Sequence, residues 1–470
     1  MKRTRSTPGV LTHPARSRRD ALALFGAASC AGIIAPLHLA AARGGDSTGS
    51  GADPASASPR PGIGVHIWPA GLARAPQALR DLLAFLPAHL RFAVGPNWAR
   101  RPPISEAMSD KDMRTYVADG LAASPFGQEL AVIRRLKRET AAALHLVLWA
   151  PPPLPSASQP LVPGAPRSLH ADDASLAARF AVALVERLIA DGLQLDGIEL
   201  SNEPDGDWNI RIPPPVYLSF LAAFRGIAER RGLSLPRIHG PAASTITAAR
   251  RYFQDPTLAA KILDHLDVVS THAWDEPGGG DRSAALERLR ADVRRAGRDH
   301  AIAITEYGIA RPDPSDLSPR ANLKMRAPDH IAGTKQYAAL ASCDILRFFS
   351  LGVGPVIVWE FRDQPWGRSS FGLLNEAGAK KPVYETLALL SRHLKENAVT
   401  RLVRESSSNP SVFRSQTGED FWAVNSSPLP APLRADIQRG RPAEPLRRDE
   451  RSLIVQMQPW DSTSLPIGRH

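Results

Sequence analysis

The sequence predicts an α/β chain: a (β/α)8 TIM barrel followed by a small, sandwich-like all-β domain. Two observations carry the barrel. Eight short apolar runs rich in β-formers are spread over residues 62–395, and longer stretches, several of them amphipathic at helical spacing, separate them. Eight is the number of parallel strands that closes such a barrel, and the span has the right size for one with insertions. A third observation carries the tail. From about Asn397 it offers Val399–Val403, Ser411–Arg414, Phe421–Val424, Leu433–Ile437 and Leu453–Met457, linked by turn residues with no helical stretch. An open doubly wound sheet is the alternative for 62–395, but no Gly-rich phosphate loop follows its first run.

In order, the eight runs are Ile63–Trp68, Leu90–Val94, Leu144–Trp149, Leu195–Ser201, Arg237–Gly240, Val268–His272, Ala301–Glu306 and Pro355–Glu360. Between them, Ser175–Asp191 places Leu176, Phe180, Ala183, Leu184 and Leu188 on one helical face, and Ala284–Ala296 is a second helix. Tyr217, Phe220 and Phe224 at helical spacing read as core. Arg288, Arg290, Arg294 and Arg295 read as a solvated face.

Composition narrows the classes. With 470 residues, 43% hydrophobic and 22% charged, the chain can bury a large core and is not a mainly disordered protein. Its 43 prolines suit many ordered loops better than a helix bundle. Two cysteines are too few for a disulfide scaffold or a Cys-ligated zinc site.

Residues 1–42 read as an export signal. Lys2, Arg3, Arg5, Arg16, Arg18 and Arg19 precede an apolar run from Ala21 that ends in Ala40-Ala41-Ala42. Ser17-Arg18-Arg19-Asp20-Ala21-Leu22 is similar to the twin-arginine consensus, so export to the periplasm or beyond is expected. A membrane anchor, an ordinary secretory signal and lipidation at Cys30 are the alternatives. This segment holds six positive charges and one negative, so its removal lowers the formal +11 to +6. No long basic run remains and no nucleic-acid partner is expected, nor a membrane span in the mature chain. Residues 43–61, built from Gly, Ser, Ala, Asp and Pro, read as a flexible linker. The domains are then 62–395 for the barrel and 396–470 for the tail.

In a barrel, chemistry sits at the C-terminal ends of strands. Those ends carry His66 and Trp68, then Arg91 with Asn97 and Trp98 just beyond, then Trp149, then Glu199 to Asp205. The later ends carry His272 and Trp274, then Glu306 and Tyr307, then Trp359 and Glu360. Glu203 and Glu306 each follow an apolar run, so both point toward one mouth. Two such carboxyls serve glycosidic cleavage, one as proton donor and one as ionised nucleophile. Tryptophans beside them offer flat apolar surfaces to sugar C–H faces. No Gly-x-Ser-x-Gly elbow, His-Glu-x-x-His or Walker loop competes.

These residues carry a resemblance. Ile198-Glu199-Leu200-Ser201-Asn202-Glu203-Pro204-Asp205 resembles the strand-four signature of clan A of the retaining glycoside hydrolases, and Ile304-Thr305-Glu306-Tyr307-Gly308 resembles its strand-seven signature. Trp149-Ala150-Pro151-Pro152 is similar to family 30. The strand-four wording, Gly372-Leu373-Leu374 and Lys381-Pro382-Val383-Tyr384 look more like families 39, 51 and 79. The resemblance implies that Glu203 is the general acid/base and Glu306 the nucleophile, with Asn202 on the 2-hydroxyl. It also implies that Arg91 lies beneath the nucleophile and lowers its pKa, that Trp359 forms the subsite floor, and that His272 is the strand-six histidine. Many members place a Tyr two residues after that His, where this chain has Trp274. Indole N–H can only donate, which leaves Tyr307 as a substitute partner for the nucleophile.

Trp149, Trp274, Trp98 and His66 complete the expected substrate-binding set, and an oligo- or polysaccharide is the expected partner. No metal and no cofactor is expected. Each residue has a structural alternative. Glu203 and Glu306 could be rim ion pairs, Glu199 reads best as a structural partner of Arg91, and Glu360 is either rim or binding residue. A non-catalytic carbohydrate-binding barrel and a transglycosylase with the same residues are the rival functions, with a basic surface-binding protein behind them. Endo or exo action is expected to depend on the loops Pro96–Phe126, Leu154–Ala171 and Asp313–Pro328.

Overall fold

The computed structural model describes residues 62–396, apart from 150, 157–167, 207–208, 275–279, 310–330 and 365–370, together with six strands between Leu402 and Pro466. The export-signal and linker readings, and the Asp313–Pro328 loop, lie outside the described residues.

Eight parallel strands close into a barrel in sequence order: β1 Ile63–Ile67, β2 His89–Phe92, β3 Ala143–Val147, β4 Gly197–Glu199, β5 Arg237–Ala243, β6 Val268–Ala273, β7 Ile302–Tyr307 and β8 Val356–Val358. β1 closes the ring on β8, with Ile63 opposite Val356. The strands are short and buried on both faces, which is why their sequences read as continuous apolar runs rather than alternating ones. The doubly wound alternative is thereby overturned.

Helices cover the outside. Ala174–Ala190 buries Leu176, Phe180, Ala183, Leu184 and Leu188, and Pro214–Arg230 buries Tyr217, Phe220 and Phe224. Arg282–Arg295 starts at an Asp281 cap whose side chain accepts from the Ser283 amide, and it leaves Arg288, Arg294 and Arg295 exposed. Pro382–Glu396 is the last helix, and among the described residues no helix is long and apolar enough to cross a membrane. The tail strands pair antiparallel, as β9 Leu402–Ser406, β10 Ser411–Ser415, β11 Asp420–Val424 and β14 Ser462–Pro466 in one sheet of order β14-β11-β10-β9. A second sheet pairs β12 Ala431–Asp436 with β13 Ser452–Met457.

The lower barrel holds a stack of rings. His89 Nδ1 lies 2.9 Å from His145 Nε2, and the His145 and His239 rings are 5.1 Å apart. Gly197 on β4 makes room for the second pair, since a Cβ there would meet His145 Nδ1 at 2.6 Å and His239 Nε2 at 2.9 Å. Burial holds all three rings below their ordinary range, His89 and His239 at about 4. Above this neutral layer the barrel interior becomes charged.

Candidate active site

Arg91, fully buried on β2, organises the mouth. Its Nε donates to Glu199 Oε2 at 2.7 Å, Nη1 to Glu306 Oε1 at 2.5 Å and Nη2 to Asn202 Oδ1 at 2.7 Å. Longer contacts of 3.4 Å run from Nη1 to His66 Nδ1 and from Nη2 to His272 Nε2. The fork of five N–H groups thus ties β1, β4, β6 and β7 together from β2. Two buried carboxylates on one guanidinium keep all three charges paired. Burial would raise Glu199, but Arg91, with His272 behind it, pulls the carboxyl below its usual range. Ser270 Oγ also donates to Glu199, at 2.8 Å.

Glu203 stands four residues beyond the end of β4, in a turn rather than in the strand. Its backbone is left-handed, with φ of 49°, which costs a non-glycine residue about 1–2 kcal/mol. The neighbouring chain holds it there: Glu203 N donates to Ala242 O at 2.9 Å, and Gly206 N donates back to Glu203 O at 3.0 Å. Asp205 clamps the facing loop by accepting from Ser244 N at 2.8 Å and Ser244 Oγ at 2.5 Å.

His272 lies level with Glu306 across β6 and β7, after a register shift. Its Nδ1 is 3.1 Å from Glu203 Oε1 and 3.3 Å from Glu306 Oε2, so one ring nitrogen bridges both carboxylates. These ligand atoms all lie within 4.8 Å of one another. Burial alone would lower His272, yet the Glu306 and Glu203 carboxylates outweigh it and raise the ring above its ordinary value. For Glu306, burial dominates and raises the carboxyl, with His272 and Arg91 pulling it down and Glu203 adding to the rise. The downward pull expected of Arg91 is therefore present but outweighed.

Among the described residues, Glu203, His272 and Glu306 are the one group spaced to hold a metal ion. The Arg91 guanidinium already supplies the positive charge behind that group, and His272 contacts both carboxylates directly.

Trp274 Nε1 donates to Glu306 Oε2 at 3.2 Å, so the donor-only indole acts on the nucleophile candidate directly. Tyr307, expected as the alternative partner, faces the other way. Successive residues on a strand point to opposite faces, and Tyr307 donates its hydroxyl to Asp344 Oδ2 at 3.1 Å on the helix side. Asp344 also accepts from Arg282, whose Nε and Nη2 reach the carbonyls of Trp274 and Gly308, each at 3.3 Å. Arg282 and Asp344 thus position this rim, and nothing in their sequence context marks them. Trp98 is the second correction. It is buried away from the mouth against Phe180 at 5.0 Å and Tyr116 at 6.3 Å, as core packing between loop and helices.

His66 is fully buried, and with Nδ1 facing Arg91 its Nε2 has no protein partner among the described residues. Burial and the Arg91 charge hold it neutral, well below its usual range. Its ring touches Trp68 at 5.0 Å, Trp149 at 5.9 Å and Trp359 at 4.4 Å, and all three indoles are half-buried. Glu360, read as rim or binding residue, is buried and accepts from Trp68 Nε1 at 2.6 Å.

No family model matches the sequence, and no curated protein is detectably similar to it. Solved structures are similar in fold. A family 30 endoxylanase from Clostridium papyrosolvens C71 aligns at 15% identity and TM-score 0.56, over 87% of this chain and 96% of the other. SrfJ from Salmonella typhimurium aligns at 12% identity and TM-score 0.59, over 87% and 89%. A family 39 glycoside hydrolase from the gut symbiont Bacteroides cellulosilyticus WH2 aligns at 14% identity and TM-score 0.55, over 87% and 81%. In fold, the chain resembles the glycoside hydrolases of clan A.

Proposed function

We propose that this protein is an exported retaining glycoside hydrolase that cleaves a β-linked glycan or glycoside by double displacement. The observation that carries the reading is the His272 bridge, which brings oxygens of Glu203 and Glu306 within 4.8 Å of each other. Retaining enzymes hold their carboxyls about 5–5.5 Å apart, whereas inverting ones leave about 6.5–9.5 Å for a water. In the first step Glu306 attacks the anomeric carbon and the glycosidic C–O bond breaks, while Glu203 gives its proton to the leaving oxygen. In the second, water attacks the same carbon, Glu203 takes a proton from it and the bond to Glu306 breaks. Arg91, Trp274 and His272 hold the Glu306 oxygens throughout. Asn202, its Oδ1 committed to Arg91, would offer its amide N–H groups to the 2-hydroxyl. The export part of the reading rests on the paired arginines Arg18 and Arg19 ahead of an apolar run.

The test is turnover of aryl β-glycosides and polysaccharides, xylan included, by wild type, Glu203→Gln and Glu306→Gln, with mass analysis after a 2-fluoro-sugar trap. Loss of activity in both variants and an adduct on Glu306 are expected. A product of inverted anomeric configuration, or glycan binding without turnover in all three proteins, would overturn the proposal. For export, Arg18→Lys with Arg19→Lys should retain the precursor in the cytoplasm.

A further inference from the structure

The three tryptophans at the β1, β3 and β8 ends form a closed triangle. Trp68 and Trp149 lie 5.6 Å apart, Trp149 and Trp359 5.6 Å, and Trp68 and Trp359 5.9 Å, with His66 touching all three. A sugar ring sliding between two indoles needs a van der Waals contact of about 3.5–4 Å on each face, so about 7–8 Å between them. No sugar ring passes this triangle.

The wall is also fixed. Trp68 Nε1 donates to Glu360 Oε2 at 2.6 Å, and that buried carboxylate lies beside Lys381, itself paired with Asp363 at 2.7 Å. A charge-assisted bond to a buried acceptor keeps the indole from swinging outward.

Its position decides which side of the cut it blocks. The leaving group departs past the proton donor, Glu203, which follows β4. In an eight-stranded ring β8 lies diametrically across from β4. The sugar under attack therefore extends from Glu306 toward the β8 and β1 ends, where Trp359 and Trp68 stand, with Trp149 closing the triangle from the end of β3. Resting on the glycoside-hydrolase reading, we propose that this wall closes the glycone side one sugar beyond the point of cleavage. The protein then works from chain ends and releases single sugar units.

The experiment uses 4-methylumbelliferyl β-glucoside, β-xyloside, β-galactoside and β-mannoside beside the matching β-cellobioside and β-xylobioside, with products followed over time. Wild type should cleave at least one monosaccharide glycoside. On the aryl disaccharide it should release a free monosaccharide first, with fluorophore appearing after a lag. Trp149→Ala and Trp68→Ala should raise direct release of the intact disaccharide at least tenfold relative to the first cut at the chain end. Immediate release of an intact disaccharide by wild type, or cleavage of internal bonds in end-blocked xylan, would overturn the closed wall and leave the hydrolase reading standing. No turnover of any glycoside would remove the hydrolase reading and this inference with it. The wild-type product order decides the question even if neither variant folds.

Discussion

The indole of Trp274 donates to Glu306 Oε2 from the adjoining strand, and it reaches that position by lying across Gly308. A Cβ on Gly308 would meet Trp274 Cζ3 at 2.3 Å. The residue after Glu306-Tyr307 is thus small because an aromatic ring occupies the space above it. Hydrogen bonds to a charged group contribute about 1.5–3 kcal/mol. Trp274→Phe should therefore lower kcat/KM by about 10- to 100-fold and move the acid limb of its pH profile upward, since the ionised carboxylate loses a donor. Gly308→Ala should give a similar loss, and the double variant should not be additive. Unchanged kinetics in both single variants would remove Trp274 from the site.

Arg91 carries the charge balance of the mouth. Removing one partner of a buried ion pair costs about 3–5 kcal/mol, so Arg91→Met should unfold at markedly lower urea than wild type. Arg91→Lys keeps a cation but cannot reach Glu199, Glu306 and Asn202 together. The sign of its pH effect follows from Glu306, which burial raises and Arg91 pulls down. Weakening that pull raises the carboxyl further, so ionisation and activity are lost at a higher pH. An acid limb of kcat/KM that stays in place or moves down would contradict this electrostatic role.

The stack of His89, His145 and His239 should make the fold acid-sensitive. Unfolded histidines bind protons near pH 6.5, while burial holds these rings neutral to about 4 for His89, with His239 adding to the fall, and to about 4 for His239 against the opposing pull of Glu199 and Asp267. His89 also faces Asp196 and Lys137, and His239 faces Glu199, Asp267 and Arg237. Their stabilising contribution is complete above about pH 6.5 and is lost as pH falls toward 4, on the order of 3 kcal/mol per ring. His272 acts in the opposite sense, because its raised value adds stability at low pH that disappears as pH rises through it. Thermal unfolding at pH 7.5, 5.5 and 4.5 should show a falling Tm, less steep in His239→Gln. A flat Tm over that range would contradict the assignment.

Trp98 separates packing from binding. It lies against Phe180 and Tyr116, and emptying such a site typically costs about 3–5 kcal/mol. Trp98→Ala should lose stability of that order while KM for an aryl glycoside changes less than about twofold. A large KM change with stability intact would return Trp98 to the mouth.

The barrel was legible because its parallel strands are buried on both faces, so each appears as an apolar run with a polar residue at its end. That pattern puts Arg91, Glu199, Glu306 and His272 on strands, and the structure finds them inside the ring. It says less about Glu203, which lies past the end of β4. A left-handed turn bonded to Ala242 aims its side chain, and neither feature has a local signal in Asn202-Glu203-Pro204. Trp98 and Tyr307 failed for related reasons. Each stands near a strand end, but the chain turns outward at one and strand alternation faces the other toward a helix. Arg282 and Asp344 were invisible because an ion pair formed across 62 residues of chain leaves no spacing to read.

By itself, then, the sequence determined the number of barrel strands, their order and which residues stand at their ends, and it missed the tail strand Ser462–Pro466. These follow from local periodicity, a property of each segment and its neighbours. Only tertiary structure decided that one guanidinium serves Glu199, Glu306 and Asn202, that His272 bridges the two glutamates, and that three indoles from β1, β3 and β8 meet. Those contacts arise from closing the ring, which brings residues far apart in sequence within reach of one another.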